Sequence, residues 1–193
     1  MEGFLVSTGI VALAEIGDKT QLLSFLLAAR YRRSGPIVTG ILVATLLNHA
    51  LASAVGTWLT SVIGPDTLRW ILGASFIAMA LWILVPDKLD ETDAPGTQRL
   101  GVFGATTLAF FLAEMGDKTQ VATVALAARY ADFFWVVAGT TLGMMIANVP
   151  AVLLGDRLAG RIPVRLVHGL AALIFLLLGA TVLLAPVLGF GPD

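Results

Sequence analysis

Eight residues that could do chemistry occur twice in this chain. Ala14–Gln21 reads AEIGDKTQ and Ala113–Gln120 reads AEMGDKTQ. Each copy holds a glutamate, an aspartate and a lysine in the middle of a long apolar stretch. Near a bilayer centre an Asp or Lys costs about 2.5–3.5 kcal/mol on insertion scales, against about −0.5 kcal/mol for a Leu. A load of that size, carried twice in nearly the same letters, points to a functional site. Glu15 and Asp18 are three residues apart, as are Glu114 and Asp117, so each pair is expected on one helix face. Gln21 and Gln120 follow three residues further on, at the edge of that face. If the two copies meet about a two-fold axis, four carboxylates converge, with amide and hydroxyl oxygens beside them. Hard divalent cations take such ligands: Ca²⁺ binds about six to eight oxygens, and Mg²⁺ and Mn²⁺ favour octahedral oxygen sites. The two histidines, His49 and His168, lie off the motif, so a His-rich zinc or copper site is not expected. The chain has no cysteine, which excludes disulfides and thiolate metal sites.

Charge counting narrows the chemistry. Glu15, Asp18, Glu114 and Asp117 with Lys19 and Lys118 sum to a net −2 if all are ionised. One divalent cation balances that charge, and so do two protons. A site that is stable with either, but not empty, is a physical basis for metal–proton exchange. The lysines pair with the carboxylates, or act as internal cations when the metal leaves; pairing is the favoured reading. Gly17 and Gly116 separate the carboxylates. Helix packing explains them cheaply; a break that frees backbone carbonyls for an ion is the sharper alternative. A buried salt-bridge lock between helices would leave the excess of acid over base, and the repeated Thr and Gln, unexplained.

The elements that position these residues read as membrane spans. The 193 residues are 58% hydrophobic and 13% charged, whereas a soluble domain is nearer half apolar and a quarter charged. Met1–Phe4 lacks the basic region of a signal peptide, so the first apolar stretch reads as a retained span. Six stretches are long enough to cross a bilayer, at about 3–29, 37–63, 67–85, 100–128, 133–158 and 163–188. The fold class expected is an all-α polytopic membrane protein. No basic patch suggests a nucleic-acid partner, no nucleophile–base pair suggests an enzyme, and no cofactor is expected.

The halves repeat at an offset of ninety-nine positions. Residues 1–85 form one three-helix repeat, 86–99 a polar acidic linker, and 100–193 the second repeat. Three spans is an odd number, so the second copy enters the membrane from the opposite side, as in inverted-repeat transporters. One side receives Arg30, Arg32, Arg33, Lys88, Arg99, Arg157, Arg161 and Arg165, and the other Arg69 and Arg129. That bias puts the first side in the cytoplasm and both termini outside. Small residues recur every four positions in the second and fifth spans, at Gly40, Ala44, Asn48, Ala52 and Gly56, and at Gly139, Gly143, Ala147, Ala151 and Gly155. Such seams let helices approach closely, and here they either only pack or face the motif helices. Asn48 and Asn148 lie on or beside the seams, where each offers an amide oxygen to the site or bonds a neighbouring helix.

Two E-x-G-D-[KR]-[TS] motifs, one per three-helix repeat, resemble the Gdt-type cation exchangers of the lysine-exporter superfamily. The resemblance covers essentially the whole chain, with neither motif copy departing from the pattern. It implies a Ca²⁺/Mn²⁺:H⁺ antiporter, with bacterial members acting mainly as manganese exporters in the inner membrane. By the same resemblance Glu15, Asp18, Glu114 and Asp117 are the ligands, supported by Thr20, Gln21, Thr119 and Gln120. Together with Lys19, Lys118, Asn48 and Asn148, these complete the expected site. Two rival readings are export of an organic cation such as a basic amino acid, and a membrane scaffold that transports nothing.

Overall fold

The computed structural model describes residues 1–85, 100–154 and 163–184. Among these residues every regular element is a helix. The first four are α1 (Glu2–Glu15), α2 (Lys19–Tyr31), α3 (Ser34–Val62) and α4 (Pro65–Trp82). The second four are α5 (Gly101–Glu114), α6 (Lys118–Tyr130), α7 (Phe133–Leu154) and α8 (Val164–Leu184). Each helix of the second set starts ninety-nine positions after its counterpart in the first. The expected linker at 86–99 lies outside the described residues, as do Gly155, Arg157 and Arg161.

Six apolar stretches become eight helices because the first and fourth are each interrupted inside the motif. Gly17 takes φ 85° and Gly116 φ 78°, a left-handed conformation that only glycine adopts without penalty. The packing explanation for these glycines therefore gives way to the helix break. The Gln21 side-chain oxygen accepts a hydrogen bond from the Gly17 backbone N–H at 2.8 Å, and Gln120 does the same for Gly116 at 2.7 Å. Asp18 and Asp117 then stand in extended conformation as the N-caps of α2 and α6, a position that favours Asp because its oxygen can meet a freed N–H. Asp117 does so, accepting from the Lys118 N–H at 2.7 Å. Alanine at either glycine faces about 1–2 kcal/mol of left-handed strain. At Gly17 a Cβ would also overlap the Val164 side chain, while at Gly116 it would meet nothing within 4 Å. Gly17→Ala should therefore lower the melting temperature of the purified protein more than Gly116→Ala, by an overpacking term of about 1–3 kcal/mol. Equal melting temperatures would contradict this packing.

Helices α3, α7 and α8 are long and apolar enough to cross a membrane, and α5 is shorter but apolar. Packing is reciprocal between the halves. Helix α1 lies on α7 and α5 on α3; α2 also meets α7, and α6 meets α3. Helices α4 and α8 pack on each other, and Phe76 and Phe175, equivalent in the repeat, stack there with centroids 6.3 Å apart. The small-residue seams face the motif-bearing helices: Gly40 lies against Thr106 and Phe103 of α5, Gly56 against α6, and Gly139 and Gly143 against Phe4 and Thr8 of α1. A side chain at Gly56, Gly139 or Gly143 would collide with the neighbour's backbone, and one at Gly40 with Thr106, so small residues set the helix spacing.

One feature departs from the two-fold pattern. The α4–α8 pair packs on α1 and α6, and not to the same extent on their counterparts α5 and α2. Ala125 and Ala128 of α6 are thus buried, while the equivalent Leu26 and Ala29 of α2 are exposed. Leu13 of α1 is half-buried, while the equivalent Leu112 of α5 is exposed. Two apolar clusters result. One joins α1, α4, α6 and α8 around Phe76 and Phe175, and the other joins α2, α3 and α5 around Leu23, Ile41 and Phe110.

Candidate cation site

The two breaks bring helix ends to one place. Glu15 and Glu114 are the last residues of α1 and α5, and Asp18 and Asp117 cap the starts of α2 and α6. A helix N-terminus carries partial positive charge and suits the aspartates. A C-terminus carries partial negative charge and bare carbonyls, so a glutamate there is opposed by its own helix. One carboxylate oxygen each from Glu15, Asp18 and Asp117 lie within 4.8 Å of one another. All four carboxylates are buried, none more than 3% exposed. Glu114, next to this group, lies against α3: its Oε1 accepts from Thr45 at 3.3 Å, and its Oε2 lies 3.8 Å from His49 Nε2.

The lysines cross between repeats. Lys19 Nζ lies 3.5 Å from Asp117, and Lys118 Nζ lies 3.4 Å from Asp18. Their surroundings differ. Lys118 is 2% exposed and also donates to the Val85 carbonyl at 3.0 Å, whereas Lys19 is 23% exposed. The remaining expected residues mostly brace the site. Thr20 donates to Glu15. Gln21 donates to the Ala147 carbonyl at 3.0 Å, while its oxygen, like that of Gln120, holds a break in shape. Asn148 accepts from Ser24 at 2.8 Å and donates to the Met144 carbonyl at 3.1 Å. Asn48 donates to the Phe111 carbonyl at 3.0 Å, bridging α3 and α5. Thr119 is buried, with its side chain beside Glu15.

Both histidines lie off the motif in sequence, and both adjoin it in the fold. Beyond His49 at Glu114, His168 Nε2 lies 2.7 Å from the Ile16 carbonyl at the end of α1. Separation along the chain hid them, because α3 reaches α5, and α8 reaches α1, only in the folded bundle. One signal was available for His49: it is the repeat equivalent of Asn148 and the next residue after Asn48. Thr45, one turn earlier on α3, had no signal at all.

The two breaks are not covered alike. Val164 fills the space beside Gly17, and His168 closes over Ile16. At the equivalent break Met115 and Gly116 are exposed.

The family described as "Divalent cation/proton antiporter GDT1" matches residues 3–91 and 102–188, one stretch in each half. A Vibrio cholerae protein named "Putative manganese exporter" is 52% identical over 179 residues, covering 92% of this chain and 88% of that protein. A GDT1-like protein of Synechocystis is 33% identical over 195 residues, covering 92% and 94%. GDT1-like protein 5 of Arabidopsis thaliana is 28% identical over 224 residues, covering 97% of both chains. No solved structure matches the chain. With both halves matched and the paired carboxylate motif present in each, the chain belongs to the GDT1 family of divalent cation/proton antiporters, integral membrane transporters whose divalent cations are substrates.

Proposed function

We propose that this chain exports Mn²⁺, with Ca²⁺ as a second cargo, in exchange for protons entering the cell. The observation that carries the reading is the buried cluster of Glu15, Asp18 and Asp117, drawn from both repeats at helix breaks and flanked by Lys19 and Lys118. Metal binds to these carboxylates with Glu114 beside them. Gln21 and Gln120 keep the breaks open, and Thr20 and Thr119 hold or release carboxylate oxygens. With a net −2 for four carboxylates and two lysines, the site returns across the membrane with either M²⁺ or two protons. An empty site would carry that charge uncompensated through a low-dielectric interior. The chain crosses six times as two inverted three-helix repeats, with both termini outside, each broken helix pair counting as one span.

Alternating exposure is part of the proposal. In an inverted pair, the faces beside Ile16–Gly17 and Met115–Gly116 look to opposite sides. One is closed by α8 and the other is open, as expected for a carrier resting with its site exposed to one side. Exchange of α4–α8 contacts from α1 and α6 to α5 and α2 would reverse the exposure.

The test is flux in sealed proteoliposomes reporting Mn²⁺ and pH together. Mn²⁺ movement with opposed proton movement is expected. Mn²⁺ flux with no proton signal would remove the exchange mechanism. Ca²⁺ flux alone would change the cargo. Silence for every divalent ion would overturn the proposal in favour of an organic-cation exporter or a scaffold.

A further inference from the structure

Glu114 faces an imidazole that has no hydrogen-bond partner among the described residues. His49 lies in the middle of α3 and is buried. Neither of its ring nitrogens has a hydrogen-bond partner among the described residues, and the Glu114 carboxylate opposite is flanked by the Thr45 and Asn48 side chains. These atoms face each other, with His49 Nε2 at 3.8 Å from Glu114 Oε2. That gap is too long for a hydrogen bond. It suits two atoms bound to one ion: ligands at about 2.1 Å from a first-row divalent metal stand about 3–4 Å apart across adjacent positions. Thr45, one turn earlier on the same face, holds the other Glu114 oxygen at 3.3 Å, so Oε2 is the oxygen turned toward the ring. Asn48, the neighbouring residue on α3, has an amide oxygen with no partner among the described residues, although it is buried. Buried polar atoms are nearly always partnered, and a group of them left over at one place asks for a ligand.

We infer that Glu114 Oε2 and His49 Nε2 form a second cation station beside the three-carboxylate cluster, one that selects first-row transition divalent cations over Ca²⁺. The two stations differ in donor chemistry. Glu15, Asp18 and Asp117 offer oxygen alone, which serves Ca²⁺, Mg²⁺ and Mn²⁺ alike. The Glu114 station adds an imidazole nitrogen, a donor that transition metals accept and that Ca²⁺, with its demand for many oxygens, does not favour. The selectivity is built into one repeat only. The equivalents of Thr45 and His49 on α7 are Met144 and Asn148, and the Asn148 oxygen is already held by Ser24. The carboxylate motif is thus duplicated while its selectivity partner is not.

The inference rests on the transport reading above, and its test separates the two. The chain has two histidines, so nitrogen coupling to bound Mn²⁺ can be assigned by variant. Pulsed electron paramagnetic resonance on the full-length protein with Mn²⁺ should show coupling to a histidine nitrogen in the parent and in His168→Asn, and none in His49→Asn. In proteoliposomes His49→Asn should raise the apparent KM for Mn²⁺ by about tenfold or more and leave that for Ca²⁺ unchanged. Asparagine is the residue at the equivalent place in the other repeat, so the substitution fits an α-helix of this bundle. A parent that transports Mn²⁺ without nitrogen coupling would overturn the second station and leave the transport reading standing. Parallel loss of Mn²⁺ and Ca²⁺ transport in His49→Asn would also overturn it, reducing His49 to packing. A parent with no Mn²⁺ flux would overturn both.

Discussion

Replacing Asp117 by asparagine should abolish coupled Mn²⁺ and proton movement while leaving the protein folded and inserted. The substitution keeps the size of the side chain and its ability to cap α6, since Asn and Asp cap helices about equally well. It removes one of the three carboxylates that lie within 4.8 Å of one another, and with it the charge balance that lets M²⁺ replace two protons. Among the partners left behind is Lys19, which at 23% exposure can turn toward water. A loss of more than about 100-fold in exchange rate is expected, beyond the 10–100-fold typical of residues that only orient a metal ligand. The readout is Mn²⁺ and pH dye signals in proteoliposomes of matched protein content. Normal flux in Asp117→Asn would sink the assignment of the cluster as the transport site.

Lys118 and Lys19 occupy equivalent places in the repeat, yet their loss should have unequal consequences. Lys118 is buried at 2% exposure, with Asp18 at 3.4 Å and the Val85 carbonyl at 3.0 Å. Lys118→Met would leave Asp18 among Glu15 and Asp117 without that cation, and breaking a buried pair in this way costs about 3–5 kcal/mol. Lys19→Met removes a cation that is 23% exposed and partly replaceable by water, and should cost less than Lys118→Met. Thermal unfolding in detergent measures both. Adding Mn²⁺ should recover more stability in Lys118→Met than in the parent, because an ion that binds only the folded state stabilises it by mass action and here replaces the missing positive charge. Equal melting temperatures for the two variants would show that the differing environments of the lysines carry no energetic weight.

The same contrast explains why Asp18→Asn is the poorer first experiment. It removes a carboxylate from the cluster, but it also strips Lys118 of an anionic partner in a dry setting, so lost flux and lost folding would arrive together. Asp117→Asn separates them.

Much of the site was legible from residue types alone. Charged groups in apolar surroundings are so unfavourable that their presence locates function, and a repeat at ninety-nine positions predicts equivalent helices, which all four pairs of helix starts obey. Spacing of three placed Glu15 with Asp18 and Glu114 with Asp117. In an unbroken helix that spacing puts each pair on one face; the aspartates instead stand past the helix ends, as caps of the next helices. The glycine between each pair was visible, but a glycine in an apolar helix serves packing as readily as a break. Only φ angles of 85° and 78°, with a glutamine folded back onto each N–H, decide it.

By itself, the sequence determined that the chain belongs in a membrane, that it is two copies of one unit, and that each copy carries carboxylates and a lysine in apolar surroundings. These follow from local rules of hydropathy, periodicity and charge. Tertiary structure alone decided that the lysines pair across the repeats, that Glu114 lies against Thr45 and His49 of α3, and that α8 covers Ile16 and Gly17 while Met115 and Gly116 are exposed. Each of these depends on which helix face meets which across more than thirty positions of chain. Pairwise packing of that kind is set by the fit of whole helices, and two identical motifs cannot encode the difference between their own surroundings.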